Sequence, residues 1–137
     1  MTKMKHVGIL RYLLYAGAGY FSAVAIVHSL GAKVPGLFVY FNVPSYAYQD
    51  RIISFLALGW AAFFYGTARK MDADQIKLIL VIGFIAILAL IVNTIITDFS
   101  WLNPLARKAD FLLIIVILFL YWGSLMFFSR RLLMKKK

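Results

Sequence analysis

His28, Asp50 and Asp98 are the residues of this chain best suited to chemistry. One imidazole and two carboxylates form a donor set that suits zinc, manganese or iron. The same three would also serve as a histidine-centred acid–base group, with one carboxylate orienting the ring. The plainer alternative is structural. Asp50 then pairs with Arg51 or Lys33, and His28 ends a helix whose dipole favours a cation there. Helix-end polar residues generally sit at an interface, so the structural reading is favoured, with ligand or partner recognition second and catalysis third. The expectation is no catalytic residue, no metal and no cofactor beyond bound lipid. Residues expected to touch a ligand or partner are His28, Phe38, Tyr40, Phe41, Asp50, Arg51, Asn93 and Asp98.

These residues converge only if four apolar runs bring them to one level. Of the 137 residues, 64% are hydrophobic, and the mean hydropathy is +0.86. Such a balance points to an all-α integral membrane protein forming a single domain, 1–137. The expected helices are about 8–30, 45–69, 76–97 and 104–131, arranged as an antiparallel four-helix bundle. Each is long enough to cross a hydrocarbon core of about 30 Å. Ala23-Val24-Ala25 resembles a signal cleavage site, but Arg11 would fall inside the apolar run, so the first helix reads as retained.

Helix boundaries have local signals. Ser45 after Pro44 is a candidate N-cap for the second helix, and Asp72 or Asp74 for the third. Asn103-Pro104 fits a start for the fourth. The short turn at 70–75 predicts that the second and third helices are antiparallel neighbours. Asn93 is expected to bond a neighbouring helix.

The stretch between the first two helices is different. Gly31, Pro35, Gly36 and Pro44 prevent it from spanning a bilayer, yet Phe38, Tyr40, Phe41, Tyr46 and Tyr48 crowd into it. Backbone of this kind persists near lipid only where protein covers it or where it lies at the wet interface. Residues 31–44 are therefore expected to form an aromatic cap across one mouth of the bundle.

Charge sets the orientation. Lys3, Lys5, Arg11, Arg69, Lys70, Lys77, Arg130, Arg131, Lys135, Lys136 and Lys137 fall on one side, against Lys33, Arg51, Arg107 and Lys108 on the other. By the positive-inside rule both termini are cytoplasmic and the cap faces out, with a plasma or inner membrane as the expected location. The basic residues lie at helix ends without a nucleic-acid motif, so the net charge of +10 does not imply nucleic acid. The tail RRLLMKKK reads first as an orientation anchor and second as a contact for anionic lipid.

Other chemistries are opposed by what the chain lacks. It has no cysteine and no glutamate, which removes thiol chemistry and the small-multidrug-resistance pattern. No charged residue lies near the middle of any span, against proton-coupled transport and against a retinal Schiff base. His6 and His28 sit near opposite ends of one helix and cannot bracket a haem.

Small residues line the first helix (Ala16, Gly17, Ala18, Gly19, Ser22, Ala23, Ala25), and Ala62 and Gly66 repeat the spacing on the second. Such residues let helix backbones approach closely, and on the first helix internal packing is the favoured use over a partner surface. Tyr12, Tyr15, Trp101, Tyr121 and Trp122 read as an interfacial belt. The layout of four spans with a polar outer cluster is loosely similar to that of small DoxX-like membrane proteins, without a shared motif that carries residues across. The leading expectation is a small non-catalytic membrane subunit that packs against other membrane chains or copies of itself. The alternative is a binding protein or enzyme for a lipid, quinone or similar apolar molecule at the outer mouth.

Overall fold

The computed structural model describes residues 2–34, 46–99 and 107–134, with the side chains of 2–5 and 131 left aside. Among these residues every regular element is a helix: α1 (Thr2–Ser29), α2 (Ala47–Lys70), α3 (Ala73–Ile96) and α4 (Lys108–Leu133). All four are long and apolar enough to cross a membrane, the make-up of a multi-pass integral membrane protein.

The helix ends follow local chemistry. Asp72 accepts from the backbone N–H groups of Asp74 and Gln75 at 3.0 and 2.9 Å, as expected of a cap for α3. That helix starts at Ala73, one turn earlier than the apolar pattern predicts. Helix α2 begins at Ala47, and Tyr46 is the N-cap. The predicted cap Ser45 lies outside the described residues, as does the predicted Asn103-Pro104 start. Helix α4 instead begins at Lys108. Met71 takes a left-handed conformation at φ 54°, and its N–H bonds the carbonyl of Thr67 at 2.7 Å. The chain thereby reverses into α3 within two residues.

Packing does not follow the loops. Helix α1 packs most closely on α2, α3 on α4, and α1 also on α4. Helices α2 and α3 share the shortest link, yet they touch only sparsely. A short link fixes two helix ends; the side chains decide which faces meet. On α1, Leu10, Leu14, Gly17, Val24 and His28 are buried, with Phe21 partly buried among them. On α2, Asp50, Ala57, Ala61, Phe64 and Ala68 are buried. The α1 set follows alternating steps of four and three residues, and the α2 set does so from Ala57 to Ala68 with Asp50 two turns before, the spacing of a seam between two helices. Alanine and glycine on that seam permit close backbone approach. Pairs along it run in opposite chain directions: Tyr15 meets Tyr65, Phe21 meets Trp60, and His28 meets Asp50.

One core cluster draws on all four helices, through Leu10, Leu14, Ala18, Phe64, Ala68, Ile76, Ile79 and Leu125. It lies toward the start of α1 and the end of α4. A second cluster, Val24, Ala25 and Ala57, belongs to α1 and α2 alone.

Helix α4 is tied to both neighbours by consecutive residues. The Tyr121 hydroxyl donates to the Leu13 carbonyl at 2.8 Å, and Trp122 Nε1 donates to the Leu80 carbonyl at 2.8 Å. These two residues are therefore not belt residues, contrary to the sequence expectation. They lie near the middle of the span, where a polar N–H or O–H finds no water and must be met by protein. Each reaches its carbonyl beside a glycine. A Cβ at Gly17 would stand 2.5 Å from the Tyr121 hydroxyl oxygen and 2.6 Å from the Phe64 ring. A Cβ at Gly83 would stand 3.1 Å from Trp122.

Gly17→Ala is accordingly expected to destabilise the protein by about 1–3 kcal/mol through overpacking. Gly8→Ala and Gly19→Ala, where an added Cβ meets nothing within 4 Å, are expected to be neutral or slightly stabilising. Denaturant titration of the three variants in one detergent separates them. Equal stability of all three would contradict the notch assigned to Gly17.

Candidate functional site

The last turn of α1 is built to return the chain. Gly31 adopts φ 66°, its N–H bonds the His28 carbonyl at 3.2 Å, and the Ala32 N–H bonds the Val27 carbonyl at 2.9 Å. This pair of bonds around a left-handed glycine is a Schellman ending, which only glycine enters without a steric cost. It leaves Lys33 beside the end of the helix it has just left.

Helix α2 presents its first turn to the same place. Gln49 Oε1 accepts from the Tyr46 backbone N–H at 3.3 Å, half of a capping box. Asp50, one residue further, faces inward. Its Oδ1 lies 3.2 Å from His28 Nδ1, and its Oδ2 accepts from Lys33 Nζ at 3.2 Å. His28 and Asp50 are 6% and 5% exposed, whereas the Lys33 side chain is 37% exposed. The three form a charged group sealed on its histidine and aspartate side and open on its lysine side. Both helix dipoles support it, with the carboxylate in a first turn and the imidazole in a last turn.

Of the two ion-pair partners expected for Asp50, Lys33 is the one found; Arg51 is exposed. His28 does not merely end its helix or meet water, because it is buried against a carboxylate. Asp98 is exposed beyond the end of α3, and among the described residues no three of His, Cys, Asp or Glu gather as a metal would require. Asp98 therefore does not complete a set with His28 and Asp50.

Asn93 is also exposed, and its backbone carbonyl receives both the N–H and the hydroxyl of Thr97. The next residue, Thr94, takes the buried position and donates its hydroxyl to the Leu90 carbonyl at 2.8 Å. At the start of α4, Arg107 donates twice to Asp110, at 2.9 and 3.3 Å. That hydrogen bond, then the nearby charge, raises the Arg107 pKa further above its ordinary value. Phe38, Tyr40 and Phe41 lie outside the described residues. Tyr46 and Tyr48, the other two rings of the expected cap, are 79% and 74% exposed.

Chemically, the group can hold one helix end against another and keep a carboxylate charged in poor solvent. The sequence signal for His28 was its register: it continues the spacing 10, 14, 17, 21, 24, 28 on the inward face of α1. Asp50 continues the matching seam of α2 in the same way. The fold and this sealed end group define a class, a multi-pass helical membrane protein whose first two helices are pinned at one end by a buried histidine–aspartate contact. No family model, no curated protein and no solved structure matches the chain.

Removing one member of a buried pair strands the other, at a cost of about 3–5 kcal/mol. Asp50→Ala is expected to lose that much, because it removes the carboxylate that both His28 and Lys33 contact. His28→Ala should lose less, since Lys33 still meets the carboxylate. Lys33→Ala should lose about 1 kcal/mol or less, as its ammonium is partly in water. Unfolding midpoints in detergent test the order. A loss for Lys33→Ala equal to that for Asp50→Ala would show that the lysine, not the buried histidine, anchors the group.

Proposed function

We propose that this protein is a small non-catalytic membrane subunit that docks against another transmembrane helix through the outward face of α2. The observation that supports this is where α2 keeps its small residues. Gly59, Ala62 and Gly66 follow one another at steps of three and four, and all lie away from the α1 seam. An added Cβ at Gly59 or Gly66 would meet nothing within 4 Å, and Ala62 is exposed. Glycine lowers helix propensity by about 1 kcal/mol relative to alanine, so these glycines do nothing for the isolated fold. They do permit a second helix backbone to come close over two turns, about 10 Å of helix axis. Phe55 and Leu58 stand beside the stripe as exposed apolar side chains.

The contrast with α1 supports the same reading. There Gly17, Ala18 and Ala25 are buried against this protein's own helices. Those residues serve the internal fold, as do Ala57, Ala61 and Ala68 of α2, whereas Gly59, Ala62 and Gly66 await a neighbour. In the membrane the four spans form an antiparallel bundle with both termini cytoplasmic. Residues 31–44 and the His28–Asp50–Lys33 group then lie on the outer side. The occupant is another membrane chain or a second copy of this one.

Two measurements test the proposal. Cysteines introduced at Lys33 and Lys70 are expected to label from opposite sides of intact cells, and labelling from one side would overturn the topology. Gly59→Leu with Gly66→Leu should abolish co-migration with other chains in native mass measurements after gentle extraction, while the unfolding midpoint stays within about 1 kcal/mol of the parent. Retained co-migration in that variant would remove α2 as the docking face. A parent protein that runs as a monomer carrying an apolar small molecule would favour the outer-mouth binding reading instead.

A further inference from the structure

The end of the bundle where α1 begins and α2 finishes carries an arrangement that the docking reading does not use. Tyr15 and Tyr65 pair across the two helices, with ring centroids 5.8 Å apart, and they are 37% and 50% exposed. Arg11 lies four residues before Tyr15, and Arg69 lies four residues after Tyr65. Because the two helices run in opposite directions, both arginines fall one turn beyond the tyrosine pair, toward the same end and on the same side. Both are exposed. An open hollow of about 420 Å³ lies beside Arg69, lined by Tyr65, Gly66, Arg69 and Lys70 of α2. None of Arg11, Arg69 and Lys70 is paired with a carboxylate among the described residues.

We propose that this hollow binds the headgroup of an anionic phospholipid. Arg11 and Arg69 would flank the phosphate, Lys70 would add a third cation, and the two tyrosine hydroxyls would stand at headgroup level. Guanidinium groups match phosphate oxygens two at a time, which an ammonium does not. Tyrosine rings prefer the boundary between headgroups and acyl chains. The choice of lipid over a soluble anion rests on what continues from the hollow. Directly above it the exposed side chains of both helices become apolar, with Leu58 and Ala62 on α2 and Ala16 and Gly19 on α1. A headgroup bound at the arginines therefore leaves its acyl chains against apolar surface. Charge also excludes a second copy of this same end, which would place arginine against arginine.

The site borders the docking stripe at Ala62 and Gly66 but draws its charge from Arg11, Arg69 and Lys70, and its test uses lipid binding rather than co-migration. The full-length protein in detergent is titrated with dioleoyl phosphatidylglycerol and with dioleoyl phosphatidylcholine and followed by native mass spectrometry. The anionic lipid is expected to bind about tenfold more tightly, and Arg11→Gln with Arg69→Gln should erase that preference. Arg11→Lys with Arg69→Lys keeps the charge without the fork and should retain only part of it. The charge-matched control, Lys77→Gln with Arg130→Gln, should keep it all. An unchanged preference in the double glutamine variant overturns the site, and so does an equal loss in the control. Displacement of phosphatidylglycerol by inorganic phosphate at millimolar concentration would overturn the assignment to lipid. Circular dichroism of each variant confirms that its helices are intact before binding is compared.

Discussion

The hydrogen bond from the Tyr121 hydroxyl to the Leu13 carbonyl is the contact on which the rest of the arrangement turns. Helices α1 and α2 make one close pair, and α3 and α4 make another. The principal surface joining the pairs is that between α1 and α4, because α2 and α3 scarcely pack. Tyr121 sits in that surface and reaches its acceptor over Gly17, with Phe64 of α2 against the same glycine. Three helices thus meet at a position where any side chain would intrude. Water cannot substitute for the carbonyl at this depth, so the hydroxyl has a strong reason to stay. Trp122, one residue on, applies the same device to α3, and α4 becomes the element that faces both ways.

At the other end of the α1–α2 seam the constraint is reversed. His28 and Asp50 lie beyond Val24 and Ala57, so a seam made of apolar and small residues closes on a buried polar pair. A buried ion pair adds little net stability compared with apolar packing, since desolvation offsets most of the attraction. What it adds is register. A slip of one turn along the seam would bury Asp50 without an imidazole and His28 without a carboxylate, and both errors are costly. Lys33, delivered by the Schellman turn at Gly31, meets the second carboxylate oxygen, so the group binds the start of the following segment to α2 as well.

Much of this fold was legible before any coordinates, for identifiable reasons. Runs of about twenty residues with almost no charge admit few structures, and Asp72 sits where a helix start needs an acceptor. Gly31 marked the end of α1. Helix neighbours were less accessible. The two-residue link between α2 and α3 argued for packing that the side chains do not provide, because a tight turn constrains only the ends it joins. Tyr121 and Trp122 were misread because belt aromatics and buried aromatics share one composition. Their depth in the span separates them, and each has a glycine facing it from another helix. Near the end of α3 a polar residue has two faces to choose from, and Thr94 takes the inner one while Asn93 is exposed.

The candidate site was legible in its residues but not in its state. His28 and Asp50 stood out by type, and their common rung could have been found by extending the spacing of small residues on each helix. Their burial could not, because it depends on two helices closing over them. That burial supports the structural reading of these residues. An exposed imidazole and carboxylate would suit a ligand, whereas a sealed pair answered by Lys33 is occupied with holding helix ends together. Function is then better sought on surfaces that the fold leaves unfilled. The outward glycines of α2 and the arginines flanking the Tyr15–Tyr65 pair are such surfaces, since neither is buried against the chain's own helices.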